Sequence, residues 1–476
     1  MKNVSLFYLA IIVLPQFACS QGNEGISVKI EEFGDNGYHK MIYDRRQRPQ
    51  AVVIKEKVHI VYNGGVNERG AAKPYAITYD LTTNSFSQSV SIPGKFSKDH
   101  HYGPIIWADN DDYLHVLSGC HRTPGTHVMS KNPGNIGKSE EDWSVEGEIA
   151  SSISYPSVSR VLNHKRAMYY RVYEHRSSWS YLISEDGSTD WEKPPFDLVD
   201  LNEGDELTSK PHAEMDEASS YHRYLPDKDG KSLHVAFAYY DDNKESLPEK
   251  FVNPRYGTKK NLGFKFNLYY VKVNLETHEV YNFEGEQLRT PINLELANEK
   301  CKIWDTDWRG SGLPPEIIID QNDNPSFLHV TSEETPEEFN YHYVRFEENE
   351  WKKTVIAPAC HKWNNSFLKT NEDGTLTALL LMDDGFFDHK GLSKYSSHGG
   401  GTRIEEWVSS DNGHSWDKHK TLLTAEGKYE GWRFNNIQPI KNKEGKVEEG
   451  LFLFYGYKDE NKEAKAFLMQ NQPVNN

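Results

Sequence analysis

Two histidines stand at the open end of one short hairpin. The stretch DHHYGPIIWADNDDYLHVLSGCHR, residues 99–122, reads as two strands around the polar turn ADNDD. His101 (with His100 beside it) comes just before the first strand, and His121 just after the second. Imidazole has an ordinary pKa of about 6.5, so small shifts decide whether it accepts or donates a proton. In antiparallel strands the start of the first and the end of the second share one edge. Both rings should therefore reach the same face, which points to proton transfer there. His115, His234 and His329 lie inside strands and read as packing residues.

The elements that must hold such a pair recur along the chain. ADNDDYLHV, PDKDGKSLHV and DQNDNPSFLHV are turns rich in Asp, Asn and Gly that lead into alternating strands, and EKVHIVY is a looser copy. With AMYYRVY, TLTALLLMDDG and GLFLFYGY the series has seven units, starting near residues 50, 101, 155, 221, 313, 366 and 436. Helical periodicity is absent. The reading is an all-β chain forming a seven-bladed β-propeller, in which radial packing buries both faces of each small sheet. SSDNGHSW, Ser409 to Trp416, fits the Asp-box pattern S-x-D-x-G-x-S/T-W, and SEDGSTDW, Ser184 to Trp191, is a degenerate copy. Both read as structural turns.

The positions of His101 and His121 can be read in the other units. The third offers Tyr155, then Arg171, Tyr173, His175 and Arg176. The fourth offers Tyr221, Arg223 and Tyr224, then Tyr239 and Tyr240; with the LHV strands superposed, Tyr240 falls where His121 does. Its long loop carries Arg255, Tyr256, Lys259 and Lys260. Trp308 and Arg309, His361, Lys362, Trp363 and Asn364, and Trp432 and Arg433 follow. One face thus collects cations and aromatic rings. That suits an anionic sugar polymer, with Arg and Lys meeting carboxylate or sulfate and rings stacking on sugars.

The 476-residue chain has a formal net charge of −17, which argues against nucleic acid as a partner. Residues 1–22 read as an export signal: Lys2, an apolar run from Leu6 to Pro15, then Ala18 and Cys19. Cys19 also resembles a lipobox, although Gln16 fits that pattern poorly, so secretion and a lipid anchor stand level. A single domain over 23–476 is expected, acting as a monomer. Cys120, Cys301 and Cys360 remain after export. Cys301 and Cys360 precede adjacent units, and His361 follows Cys360. A structural zinc on Cys301, Cys360 and His361, a disulfide, and two unlinked thiols are open readings.

HHYGP…LHVLSGCH resembles the His-bearing hairpin of the BNR-repeat propellers that include the ulvan lyases of polysaccharide lyase families 24 and 25. The resemblance implies β-elimination on a sulfated, uronic-acid-containing algal polysaccharide, with His and Tyr moving protons, Arg neutralising the uronate, and no cofactor. Carried over, His101 and His121 match best. Tyr239 or Tyr240 with Arg255 complete the set, and Tyr173 with Arg171 form the reserve. Arg171, Tyr173, Tyr221, Tyr256, Arg309 and Trp363 are the expected substrate-binding residues. Two other readings are a sialidase-like glycoside hydrolase, which needs paired carboxylates from Glu316, Asp383 and Asp384, and a non-catalytic glycan-binding propeller.

Overall fold

The computed structural model describes residues 26–34, 37, 40–202, 218–241, 252–258, 263–383, 399–458 and 463–473. The expected export signal, Lys259, Lys260 and Asp384 lie outside them. The fold is all-β, and among the described residues the strands pair into six sheets. No helix is long and apolar enough to cross a membrane among the described residues.

The polar turns expected from the sequence form as read. In ADNDD, Asp109 Oδ1 accepts from the Asp111 and Tyr113 amides at 2.9 and 2.8 Å. In DQNDN, Asp320 Oδ1 accepts from the Asn322 and Asn324 amides at 2.8 and 2.9 Å. Each aspartate thereby satisfies amides that the tight turn removes from the ladder.

From such turns the strands run as antiparallel meanders. Five sheets open with Ile105–Ala108, Ile153–Val161, Ala218–Pro226, Glu316–Ile319 and Phe367–Thr370, and have four, five, six, four and four strands. The remaining sheet has nine. It contains one meander opening with Ala51–Ile54 and another opening with Arg433–Asn442, joined by parallel pairs Val52–Lys441 and Val53–Asn442. The opening strands thus start close to the expected positions. Ile26–Phe33 completes the second meander by pairing antiparallel with Pro473 back to Ala466.

Side chains from adjacent sheets form the core. Tyr169, Trp179 and Tyr181 of one sheet meet Tyr221, Tyr224, Phe237 and Tyr269 of the next. The Asp boxes are structural, as expected. Ser409 Oγ and Ser415 Oγ donate to Asp411 at 2.8 and 2.6 Å, and the Gly413 amide donates to Ser409 Oγ at 2.8 Å. The degenerate copy keeps the turn: the Gly187 amide donates to Ser184 Oγ at 3.0 Å.

One segment has no counterpart in the sequence reading. Residues 40–50 form no strand yet are almost wholly buried. They run past the opening strands of several sheets: Arg45 donates to Asn365 Oδ1 and the Ser366 carbonyl at 2.5 and 2.9 Å, and Asn436 Nδ2 donates to the Ile42 carbonyl at 2.7 Å. This segment supplies charge at the centre of the molecule.

Candidate active site

The site begins with a short 3-10 turn, His100–Tyr102, capped by Asp99. The Asp99 carboxylate accepts the His101 amide at 3.0 Å and fixes the turn that aims the ring. The same carboxylate holds both imidazoles: His101 Nδ1 lies 2.5 Å from Oδ1, and His121 Nδ1 lies 3.2 Å from Oδ2. The rings of His101 and His121 stack with centroids 4.4 Å apart. The expected common face is therefore realised. His121 arrives there because residues 121–123 leave their own hairpin and pair with the next sheet, His121 opposite Ser154.

With both Nδ1 atoms turned to Asp99, the Nε2 atoms are the ones left for a substrate. His121 Nε2 is buried and has no hydrogen-bond partner. Burial pushes His101 down to about 4, against the opposing hydrogen bond and charge of Asp99. Burial would raise the Asp99 carboxyl, but the hydrogen bonds from His101 and His121 hold it well below the usual carboxylate range. The arrangement is an ionised carboxylate orienting both rings, with His101 held neutral, which fixes the tautomer.

Tyr155 closes the site from the next sheet, its ring edge-on to His101 at 5.6 Å and 6.0 Å from His121. Its backbone is left-handed, φ 55°, where register shifts between Ser154 and Ser157. A bulky residue at such φ is strained and is held only by its surroundings. Burial, then neighbouring Tyr221, pushes its phenol well above the usual value, so it carries its proton.

Beneath Tyr155 lies Arg171, fully buried, its Cζ 4.7 Å from the Tyr155 ring centre and 5.4 Å from that of Tyr221. Among the described residues none of its three guanidinium nitrogens has a hydrogen-bond partner. Unpaired buried charge is costly, so this residue stands out from the other cations. His175 borders it and is pushed down to about 2 by burial first and then by the Arg171 charge.

The central segment adds Arg46 over Tyr43, Tyr155, Tyr221 and Trp363, with Cζ 5.0 Å from the Tyr155 ring centre. Its charge is matched by Asp44, at 2.8 and 2.7 Å. Lys265 lies over Tyr221, Tyr240 and Trp363 at 4.6, 4.8 and 4.2 Å. Tyr221, Tyr240 and Trp363 thus meet around Lys265, and Tyr221 and Arg171 adjoin the Tyr155 that faces the histidine pair.

Other expected residues are placed elsewhere. Arg255 pairs with Asp307 and Glu334 at 2.5 and 2.8 Å, and Arg309 with the same Glu334 at 2.8 Å. Tyr256 donates to the Glu333 carbonyl at 2.5 Å. Arg255 and Arg309 are thus engaged by carboxylates, and Tyr256 by a backbone carbonyl. Strand alternation turns Tyr239 away from Tyr240 and onto Phe266, 6.4 Å between rings. Tyr173 is exposed by half, and its carbonyl accepts from Ser154 Oγ at 2.7 Å.

The proposed zinc ligands do not assemble. Cys120, Cys301 and Cys360 are all free thiols. Cys301 Sγ faces the Leu296 carbonyl at 3.9 Å, whereas Cys360 Sγ faces the Gly400 carbonyl at 3.4 Å. Burial pushes these thiols up to about 12 and about 11, the protonated form that binds metal poorly. His361 Nδ1 accepts the Trp363 amide at 3.0 Å. Among the described residues the one group of three potential ligands is Asp99, His101 and His121.

Sequence reasoning missed Asp99, Arg46 and Lys265, and read Tyr155 only as a position at the entrance. Asp99 was legible: an Asp two residues before His101 is an N-cap pattern. Arg46 carried no such signal, because its segment has no period.

A relative from Nonlabens ulvanivorans, an ulvan lyase, is 22% identical over 432 residues, covering 85% of this chain and 83% of that protein. An ulvan lyase of family PL25 from Pseudoalteromonas sp. (strain PLSV) is 23% identical over 408 residues, 79% and 76% of the two chains. The structure of a PL25 ulvan lyase bound to -[GlcA(1-4)Rha3S]- superposes with a TM-score of 0.69 at 19% identity, over 91% of this chain and 94% of that one. The likeness shows a shared fold. The model of the BNR repeat-containing family matches residues 67–359, more than half the sequence, and the chain belongs to that family.

Proposed function

We propose that this protein is a polysaccharide lyase that cleaves a sulfated, uronate-containing polymer of the ulvan type by β-elimination. One observation carries the mechanism: an uncompensated, buried Arg171 lies under Tyr155, beside two imidazoles that share Asp99. The ulvan lyase relatives support the substrate class.

A proton α to a carboxylate is hard to remove while that carboxylate keeps its full charge. Positive charge fixed near the developing enolate lowers the barrier. Arg46 and Arg255 are each matched by carboxylates. Arg171 is not, and in a water-poor site its charge acts at full strength. His121 Nε2, with no protein partner, takes the C5 proton as the electron pair moves to C4=C5 and the C4–O4 bond breaks. Tyr155, held protonated, delivers its proton to the departing O4. His101 shares Asp99 and holds His121 in register. The cycle needs no cofactor. Tyr221, Tyr240 and Trp363, crossed by Lys265 and Arg46, form the sugar-stacking and anion-reading surface.

We read the six sheets as seven blades, counting the nine-stranded sheet as two, with the histidine site at the entry ends of the innermost strands. The protein acts outside the cytoplasm, secreted or lipid-anchored, as a monomer.

Among the described residues, both carboxylates of the hydrolase reading are held by arginines. Glu316 sits among Arg45, Arg48 and Arg223, and Asp383 pairs with Arg433 at 2.6 Å. Incubation with ulvan decides between the readings. A lyase generates an unsaturated uronate absorbing in the ultraviolet; reducing ends without that absorbance mean hydrolysis, and no product means a binder.

A further inference from the structure

The innermost strands have a second end, and it too opens into a cavity. His101, Tyr155 and Tyr221 stand at the entry ends of three of these strands. Ala108, Val161, Pro226 and Asn442 stand at the exits of four, and there the chain lines a cavity of about 670 Å³. Its walls carry more cations than the acidic chain would suggest: Arg48, Arg160, Arg166, Arg223, Lys441 and Lys446 line it, among others.

The floor is the decisive part. Behind Arg48 and Arg223 of that lining lies the buried carboxylate Glu316, and three arginines converge on it: Arg223 at 2.8 Å, Arg45 and Arg48 each at 3.6 Å; the carboxylates that line the cavity itself are Asp227, Asp229 and Glu444. Burial alone would raise its carboxyl, but the charges of Arg223, Arg48 and Arg45 hold it at about 2. Three guanidinium charges thus face a single negative one. Lys441 adds another, and burial followed by the Arg223 charge pushes it down to about 8. Its ammonium enters no ion pair among the described residues. Arg48 is more than nine-tenths buried, and its Nε has no partner. Arg166, nearby, gives its guanidinium to the Ala108 and His164 carbonyls at 2.9 and 2.7 Å and so keeps its full charge.

We propose that this rear cavity is an anion-binding site that takes a tetrahedral oxoanion, either free or as the sulfate ester of a sugar, between Lys441, Arg48 and Arg223. Such a ligand offers several acceptors to convergent donors and supplies the charge the floor lacks. The inference stands apart from the lyase reading, because none of these residues belongs to the histidine site.

Isothermal titration calorimetry at constant ionic strength tests it, with sodium sulfate, sodium phosphate and a sulfated monosaccharide as probes and chloride as the balancing salt. Saturable binding of one oxoanion per chain is expected. Lys441→Met should weaken it about tenfold or more, the loss expected for one charge-assisted hydrogen bond. Lys446→Met, a milder change at the rim, should weaken it less and guards against misfolding of the first variant. Tighter binding of the ester assigns the site to glycan, and tighter binding of the free ion assigns it to solutes. Absent saturable binding of every probe, or unchanged affinity in a folded Lys441→Met, overturns the proposal. Ulvan cleavage by the same samples reports on the lyase reading separately.

Discussion

The residues to which the proposed mechanism gives the chemistry stand out by what they lack. Arg171 has no hydrogen-bond partner on any guanidinium nitrogen, and His121 has none on Nε2. Arg171→Ala should lower kcat/KM on ulvan by about 10²- to 10³-fold, the usual effect of losing one preorganised electrostatic group. Arg255→Ala should stay close to wild type, since its charge is already taken by Asp307 and Glu334. Parallel assays of the two variants check the assignment, and the reverse ranking would return the role to Arg255. Tyr155→Phe keeps the ring but removes the proton donor, and His121→Ala removes the base; each should cost about 10²- to 10⁴-fold in turnover with circular dichroism unchanged. The histidines were legible because they flank one antiparallel hairpin, although the Asp99-capped turn and the pairing of His121 with Ser154 complete their approach. The choice of Tyr239 or Tyr240 with Arg255, with Tyr173 and Arg171 in reserve, followed from aligning LHV strands as if units were equivalent. The structure shows a local departure instead: a bulge and a left-handed Tyr155 turn that ring into the site. Such a departure leaves no mark in the repeat pattern.

At the scale of elements, the turns carry the repeat and the loops carry the differences. The opening strands start close to where the polar turns place them, because Asp side chains that cap amides fix the hairpins locally. The Asp box around Asp411 is the clearest case. Gly413 has φ 81°, and an added Cβ would lie 2.2 Å from the Tyr343 ring. Gly413→Ala should therefore lower stability by about 1–3 kcal/mol through overpacking and strain. Chemical denaturation measures this, and cleavage of ulvan by the remaining folded protein should be unaltered. The buried segment 40–50 was not legible. Nothing in its sequence has a strand or helix period, and its placement depends on contacts such as Arg45 with Asn365, far along the chain.

At the scale of the molecule, burial of neutral imidazole sets the response to acid. Burial pushes His59, His101 and His234 down to about 4, and His127 and His329 to about 3, each from 6.5. Between those values the unfolded chain binds protons that the folded chain refuses, so stability rises with pH. It should be fully present above about 6.5 and fall as pH drops toward 4 and below, steeply because several groups act together. Urea midpoints across that range check the sign; a flat profile would mean these rings titrate normally.

The pairing of Ile26–Phe33 with Ala466–Pro473 sets an order of assembly. Among the described residues the first strand finds its ladder in the last, so the seam cannot be sewn until that last strand exists. A chain emerging from its amino end holds that edge open throughout synthesis, and the entropy of joining such distant segments slows the last step. Refolding from denaturant should then show a late phase in which amides of Ile26–Phe33 and of the final strand gain exchange protection together.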